Sequence, residues 1–161
     1  MSFLTRTPVL WALFVLQILI GMGFGVFREA VGGTYLDFIS SGTEARAVID
    51  GMSASQKTVH FWVTVLLDTA YPLAYGGFLA GMALRFFGRF GKLAAAPALA
   101  VIVLDLTENM VQALGLTGTA DVLAAKDWLT PLKFMLIWPA GLIALAALVI
   151  AILNMFRKKS A

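Results

Sequence analysis

The sequence predicts an all-α polytopic membrane protein, a bundle of four transmembrane helices, and three observations carry that prediction. Of the 161 residues, 60% are hydrophobic and 13% charged, about half the charged share of an ordinary soluble domain, and the mean hydropathy is +0.89. The apolar residues gather into four runs, about 8–27, 58–84, 93–114 and 129–154. Each is close to the roughly 20 residues that a helix needs to cross about 30 Å of hydrocarbon. The charges between the runs are biased by sign. A soluble domain of this length has too little interior for so much apolar surface, so a soluble enzyme, a disordered chain and a nucleic-acid arm are excluded. No nucleic-acid partner is expected. The whole chain, 1–161, reads as one membrane domain.

Each run reads as a helix on its own terms. The first, Pro8 to Phe27, carries no charge, and the fourth includes 23 consecutive uncharged residues, Phe134 to Phe156. The runs exceed the roughly 9–11 residues of a barrel strand and do not alternate. Residues Phe24 to Glu29 show no small-residue cleavage pattern, so an uncleaved first span is expected rather than a signal peptide. Arg6, Arg85, Arg89, Lys92, Arg157, Lys158 and Lys159 flank the helices on one side, with no acidic residue among them. Loops 28–57 and 115–128 mix Arg28, Arg46, Lys57 and Lys126 with Glu29, Asp37, Glu44, Asp50, Asp121 and Asp127. The positive-inside rule then places both termini in the cytoplasm, N-in/C-in, of the cell (inner or plasma) membrane, with both longer loops outside.

The outer loop, 28–57, is expected to be partly helical. It opens at Gly32-Gly33, carries an amphipathic patch at Tyr35, Leu36, Phe38 and Ile39, and breaks at Ser40-Ser41-Gly42. Thr43 is read as the N-cap of a short helix from Glu44 to Met52. Two roles suit such a loop: a connector lying on the lipid interface, or a lid over the outer mouth of the bundle. Close helix approach in lipid needs small residues, and the candidates are Gly21, Gly23 and Gly25, then Ala70, Ala74, Gly77 and Gly81, then Ala140, Ala144, Ala147 and Ala151. They suit packing within the bundle or against a second protomer.

Polar side chains inside the spans follow helical spacing. His60, Thr64, Asp68, Tyr71 and Tyr75 share one face of the second helix, and Asp105, Glu108, Asn109 and Gln112 share one face of the third. Consecutive antiparallel helices most economically turn such stripes toward each other, at comparable depth in the outer half of the membrane. Lys133 in the fourth helix either reaches down to Glu108 or snorkels to the outer surface. Pro72 has no N–H and frees the carbonyl of Asp68, kinking the helix, and Pro139 does the same for Met135. Pro131, with Thr130 as cap, and Pro97 are assigned to helix starts. His60, next to Trp62, is placed in an interfacial aromatic belt with Trp11, Trp128 and Trp138, and is carried also as a candidate ligand contact.

A charged group near the bilayer centre costs about 2.5–3.5 kcal/mol, whereas an interhelical hydrogen bond returns about 0.6 kcal/mol. A polar clamp alone is therefore poor recompense for three acids. Asp68, Asp105 and Glu108 are accordingly the candidate catalytic residues for acid–base chemistry, sharing protons because three like charges cannot all stay ionised. Asn109, Tyr71, Tyr75, Gln112, Thr64, His60 and Lys133 are the candidate ligand contacts. No metal ligand set and no cofactor are assigned, although the oxygen-rich stripe would suit a divalent cation such as Mg²⁺, Ca²⁺ or Mn²⁺. With one histidine and no cysteine, zinc, haem and copper sites and Cys nucleophiles have no support.

The pattern Asp68-x-x-Tyr71-Pro72-x-x-Tyr75-Gly76 with Asp105-x-x-Glu108-Asn109 resembles one found in small, uncharacterised bacterial four-helix integral membrane proteins. The resemblance covers helices 2 and 3, about a third of the chain, and implies the fold without a reaction. The residues themselves lead to an outward-opening polar site that binds, and transforms by acid–base chemistry, a small lipid-like or isoprenoid-like molecule. Whether any reaction occurs is left open. Two alternatives stand beside it: a non-catalytic accessory or assembly subunit of a larger membrane complex, and a proton-coupled carrier or channel acting as a homo-oligomer. Membrane lipids are the expected partners in every case.

Overall fold

The computed structural model describes residues 3–159, and side chains as far as Phe156. The side chains of Arg157, Lys158 and Lys159, expected to anchor the last helix, lie outside the described residues. Five helices form: α1 Thr7–Phe27, α2 Gly42–Gly51, α3 Ala54–Phe86, α4 Gly91–Thr117 and α5 Lys126–Lys159. Short 3₁₀ turns occur at Phe3–Thr5, Leu36–Phe38, Gly88–Phe90 and Leu123–Ala125. No strand is present among the described residues. All but α2 are long and apolar enough to cross a membrane.

The long helices extend past their apolar runs because the caps lie in polar sequence beyond them. Ser53 starts α3: its hydroxyl accepts from the Gln56 N–H at 3.3 Å, and its own N–H donates to Gln56 Oε1 at 2.8 Å, a reciprocal capping box. α5 begins at Lys126, so Thr130 is not a cap and Pro131 lies within the helix. Pro97 likewise stands inside α4. Hydropathy marks where lipid would be met, whereas a helix continues for as long as its backbone bonds are satisfied.

Successive long helices run antiparallel. Gly81 meets the Leu4 carbonyl, Gly77 faces Leu13 and Gly23 faces Leu67, which sets α1 against α3. Gly76 faces Ile102 and Gly91 faces Leu84 between α3 and α4. Ala80, Ala83, Ala95, Ala98 and Ala140 form an all-alanine core among α3, α4 and α5. Small side chains let these backbones approach closely, which lipid-exposed helices require. Gly21 and Gly25, expected to seat a helix, have no atom within 4 Å of a Cβ placed on them, so the middle glycine of the three makes the contact. Of α1 only Leu10 is buried, and Trp11, Trp62, Trp128 and Trp138 are all exposed.

Pro72 acts through a π-helical turn at Thr64–Asp68 rather than a simple kink. The inserted residue re-routes the backbone bonds around the missing N–H. Side-chain donors take up the displaced acceptors: Thr69 Oγ1 donates to the Thr64 carbonyl at 3.1 Å, and Asn109 Nδ2 donates to the Asp68 carbonyl at 2.7 Å.

The 28–57 segment does not lie flat. Gly32 and Gly33, at φ 93° and 85°, make a tight turn that only glycine adopts without strain. The chain then folds back over the α4 end of the bundle. Leu36, Ile39, Ala45 and Ile49 are buried against Val111, Leu116 and Leu123, which is covering rather than lipid-surface packing. Ser41, not Thr43, is the N-cap of α2, its hydroxyl accepting from Glu44 N–H. The Gly42 N–H donates to Asp127 Oδ1 at 2.7 Å. A Cβ on Gly42 would run into the backbone of Leu123 and Ala124, so the close docking of α2 depends on that glycine. Arg46 and Asp121 form a bidentate surface pair at 3.1 and 2.6 Å.

Candidate functional site: a buried carboxylate and lysine network

Spacing on α4 turns Asp105, Glu108, Asn109 and Gln112 toward its neighbours, and all four are buried. Residues of α5 meet them. Lys133 Nζ lies 3.0 Å from Asp105 Oδ1, 2.7 Å from Glu108 Oε2 and 2.5 Å from Asp37 Oδ1. The Glu108 contact is an ion pair outside hydrogen-bonding geometry. Glu108 Oε1 accepts from the Lys126 ammonium and, at 2.5 Å, from the Thr130 hydroxyl. From α3, the Tyr75 hydroxyl donates to Asp105 Oδ2 at 2.5 Å. Glu108 and Lys126 are 0% exposed and Lys133 1%, so these charges answer to one another rather than to water.

The network corrects several expectations. Of the two expectations for Lys133, the reach to Glu108 holds and the snorkelling does not: three carboxylates converge on it within the fold, where low polarity strengthens the attraction between opposite charges. Lys126 and Asp37, assigned to solvated loops, belong to the network, as does Thr130. Helix α5 starts early enough to bring Lys126, Thr130 and Lys133 onto one face at spacings of four and three. Asp37 arrives on the 3₁₀ turn of the folded-back loop. The only sequence signal for this trio was its spacing, hidden because its first member, Lys126, precedes the apolar run.

Asp68 is buried, with Asp37, Asp105, Lys133 and Glu108 as its charged neighbours. Among the described residues its carboxylate makes no hydrogen bond, while its backbone carbonyl is the acceptor that Asn109 holds. The freed carbonyl expected from Pro72 is thus used inside the bundle. Tyr71 is half-buried, its ring 5.6 Å from Phe24 and 5.1 Å from Tyr75. Thr64 is buried and enters through its backbone carbonyl.

His60 is not an interfacial belt residue. It is 1% exposed, and its Nε2 accepts from the Leu36 N–H at 3.4 Å, which fixes the folded-back loop above it. Tyr35 stacks edge-on against His60 and Phe24 and donates its hydroxyl to the Phe24 carbonyl at 2.5 Å. Burial, then the nearby Asp68 carboxylate, push that hydroxyl above the ordinary tyrosine range. The loop therefore meets the network through Asp37 and is held on α3 by the Leu36–His60 bond and the Tyr35–His60 stack.

Unspent hydrogen-bonding capacity remains next to these charges. Both amide atoms of Gln112 and Asn109 Oδ1 are buried without a partner among the described residues. Such groups cost about 1–3 kcal/mol each when unsatisfied. The carboxylates of Asp37, Asp105 and Glu108 present oxygens within 4.8 Å of one another, a set hard divalent cations favour. Lys133 Nζ stands among those oxygens, so a metal there would have to displace the ammonium. The fit to a divalent cation is poor while Lys133 keeps this position. Comparison with protein-family models, with curated proteins and with solved structures gives no match, so the chemistry of the site rests on its own geometry.

Proposed function

We propose that the chain is a multi-pass protein of the cell membrane with both termini cytoplasmic, whose buried network receives the polar head of a small lipid-like molecule from the outer side. Orientation is supported by Arg6, Arg85, Arg89 and Lys92, which cluster with no acidic residue at the end bearing the termini. Asp68, Asp105 and Glu108 supply and accept protons, Lys133 and Lys126 hold the negative charge that results, and the amides of Asn109 and Gln112 orient the head. The 28–57 segment with α2 serves as the lid, latched through Asp37 on Lys133. One observation carries this reading: the unpartnered buried amide of Gln112 and the free Oδ1 of Asn109 lie beside a carboxylate–lysine array of mixed charge.

The test is native mass spectrometry of the protein extracted from its own membrane, comparing wild type with Asp68→Asn and Glu108→Gln. A discrete retained molecule in wild type, lost in Asp68→Asn with the helical content unchanged, is expected. Retention by both variants, or none in wild type, overturns the reading and leaves the network as a structural clamp.

A second reading, an accessory subunit of a larger complex, is favoured by the exposed face of α1 with Gly21 and Gly25. It predicts that Gly21→Leu and Gly25→Leu abolish co-purification with a partner. Gly77 and Gly81 are excluded from such a face because they already contact Leu13 and Leu4.

A further inference from the structure

A groove of about 570 Å³ lies between α1 and α5 at the end that carries the termini, far from the ionic network, with α3 as its floor. Trp11 and Phe14 form one wall, Leu145 and Leu148 the other, and Phe78 and Met82 the base. The volume falls within the ~300–1,000 Å³ of small-molecule pockets. Nearly all of its lining is apolar, and the polar exceptions, Arg85 and Thr7, lie together at one end.

Arg85 is exposed, and its Nη1 donates to Thr7 Oγ1 at 2.9 Å and to the Thr5 carbonyl at 3.4 Å. Those contacts hold the side chain at the groove end while leaving most of its five N–H donors free. No carboxylate of this chain pairs with it among the described residues. Acidic residues are absent before Glu29, between Asp68 and Asp105, and after Asp127. Arg85 is thus a cation with no acidic partner among the described residues, set at the end of an apolar channel suited to hydrocarbon. An amphiphile with an anionic head matches both features at once. A planar guanidinium suits phosphate, which it binds through two parallel bonds.

We propose that this groove binds one acyl chain of an anionic phospholipid from the adjacent leaflet, with the lipid phosphate on Arg85. This site is separate from the network beneath the α2 lid and does not depend on the function assigned there. Under the orientation given above, the leaflet is the cytoplasmic one, where anionic lipid and basic side chains attract.

The experiment incubates detergent-solubilised full-length protein with phosphatidylglycerol or phosphatidylcholine of identical chains and counts retained lipids by native mass spectrometry. One phosphatidylglycerol per protomer should survive, at about fivefold preference over phosphatidylcholine, whose choline ammonium cancels the charge of the same phosphate, the scale of one basic side chain at an anionic surface. Arg85→Gln should abolish the preference, whereas Arg89→Gln, a neighbouring exposed cation stacked on Phe90, should keep it. Ala151→Phe, which fills the groove, should lower retention of both lipids. Circular dichroism confirms that each variant is folded, and Arg85→Gln alters an exposed side chain, so it decides the matter even if Ala151→Phe does not fold. Equal retention of the two lipids, equal losses in Arg85→Gln and Arg89→Gln, or a lipid-free dimer that Ala151→Phe dissociates would each overturn the proposal.

Discussion

Replacing Lys133 by methionine should destabilise the bundle far more than replacing Asp105 by asparagine, and the ion-pair geometry gives the reason. Asp37, Asp105 and Glu108 face two ammonium groups, Lys126 and Lys133, so the bonded network carries a formal charge of −1 with all five groups ionised. Lys133→Met leaves three carboxylates with only Lys126, which pairs with Glu108 alone, a formal −2 in which Asp105 and Glu108 are buried. Removing one partner of a buried pair costs about 3–5 kcal/mol because the remaining charge is stranded. Asp105→Asn instead brings the network to zero, keeps Lys133 paired with Asp37 and Glu108, and leaves an amide that still meets Tyr75. Its cost should be that of one charge-assisted hydrogen bond, about 1.5–3 kcal/mol. Reversible unfolding in mixed micelles, followed by the far-ultraviolet signal of the helices, measures both. Methionine matches the lysine stem in bulk, which keeps the packing term small. Stability of Lys133→Met within about 1 kcal/mol of wild type, or an Asp105→Asn loss equal to or above it, would refute the charge argument.

Three further outcomes follow from other contacts. Asn109→Leu removes the donor to the Asp68 carbonyl and should cost about 1–3 kcal/mol in the same unfolding measurement. Gly42→Ala should detach α2 from the Leu123–Ala124 backbone, read as faster hydrogen exchange across residues 36–51 with the exchange of α4 and α5 unchanged. The Arg46 partner, first by its hydrogen bond, holds the Asp121 carboxyl below the ordinary carboxylate range. A depressed folded value means that its small contribution is present above about pH 4, the unfolded value, and fades as acid titrates the folded carboxyl. Asp121→Asn should remove that part of the acid sensitivity and leave stability at neutral pH almost unchanged, since both side chains are solvated.

Local physics makes a large part of this molecule legible in its residues alone. Lipid must be met by apolar side chains over a fixed length, and that demand is written in contiguous residues, so four long helices emerge close to their expected bounds. Pro72 releases the Asp68 carbonyl by covalent necessity, and the acceptor duly finds Asn109. The helical spacing of Asp105, Glu108 and Asn109 likewise needs no knowledge of neighbours to put them on one face.

What only the tertiary structure decided is which charges share a burial site. Lys126 and Asp37 lie in stretches whose polarity reads as loop, Thr130 reads as a cap at a helix start, and hydropathy has no means of showing that a loop folds back. That return depends on contacts between residues far apart in sequence, Gly42 with Asp127 and His60 with Leu36, each of them a pairing rather than a pattern. Once the segment closes over α4, a lysine near a helix end no longer reaches water, and the nearest carboxylates become its solvent. The depth of a charged side chain in this protein is set by what covers it, which composition along the chain does not record.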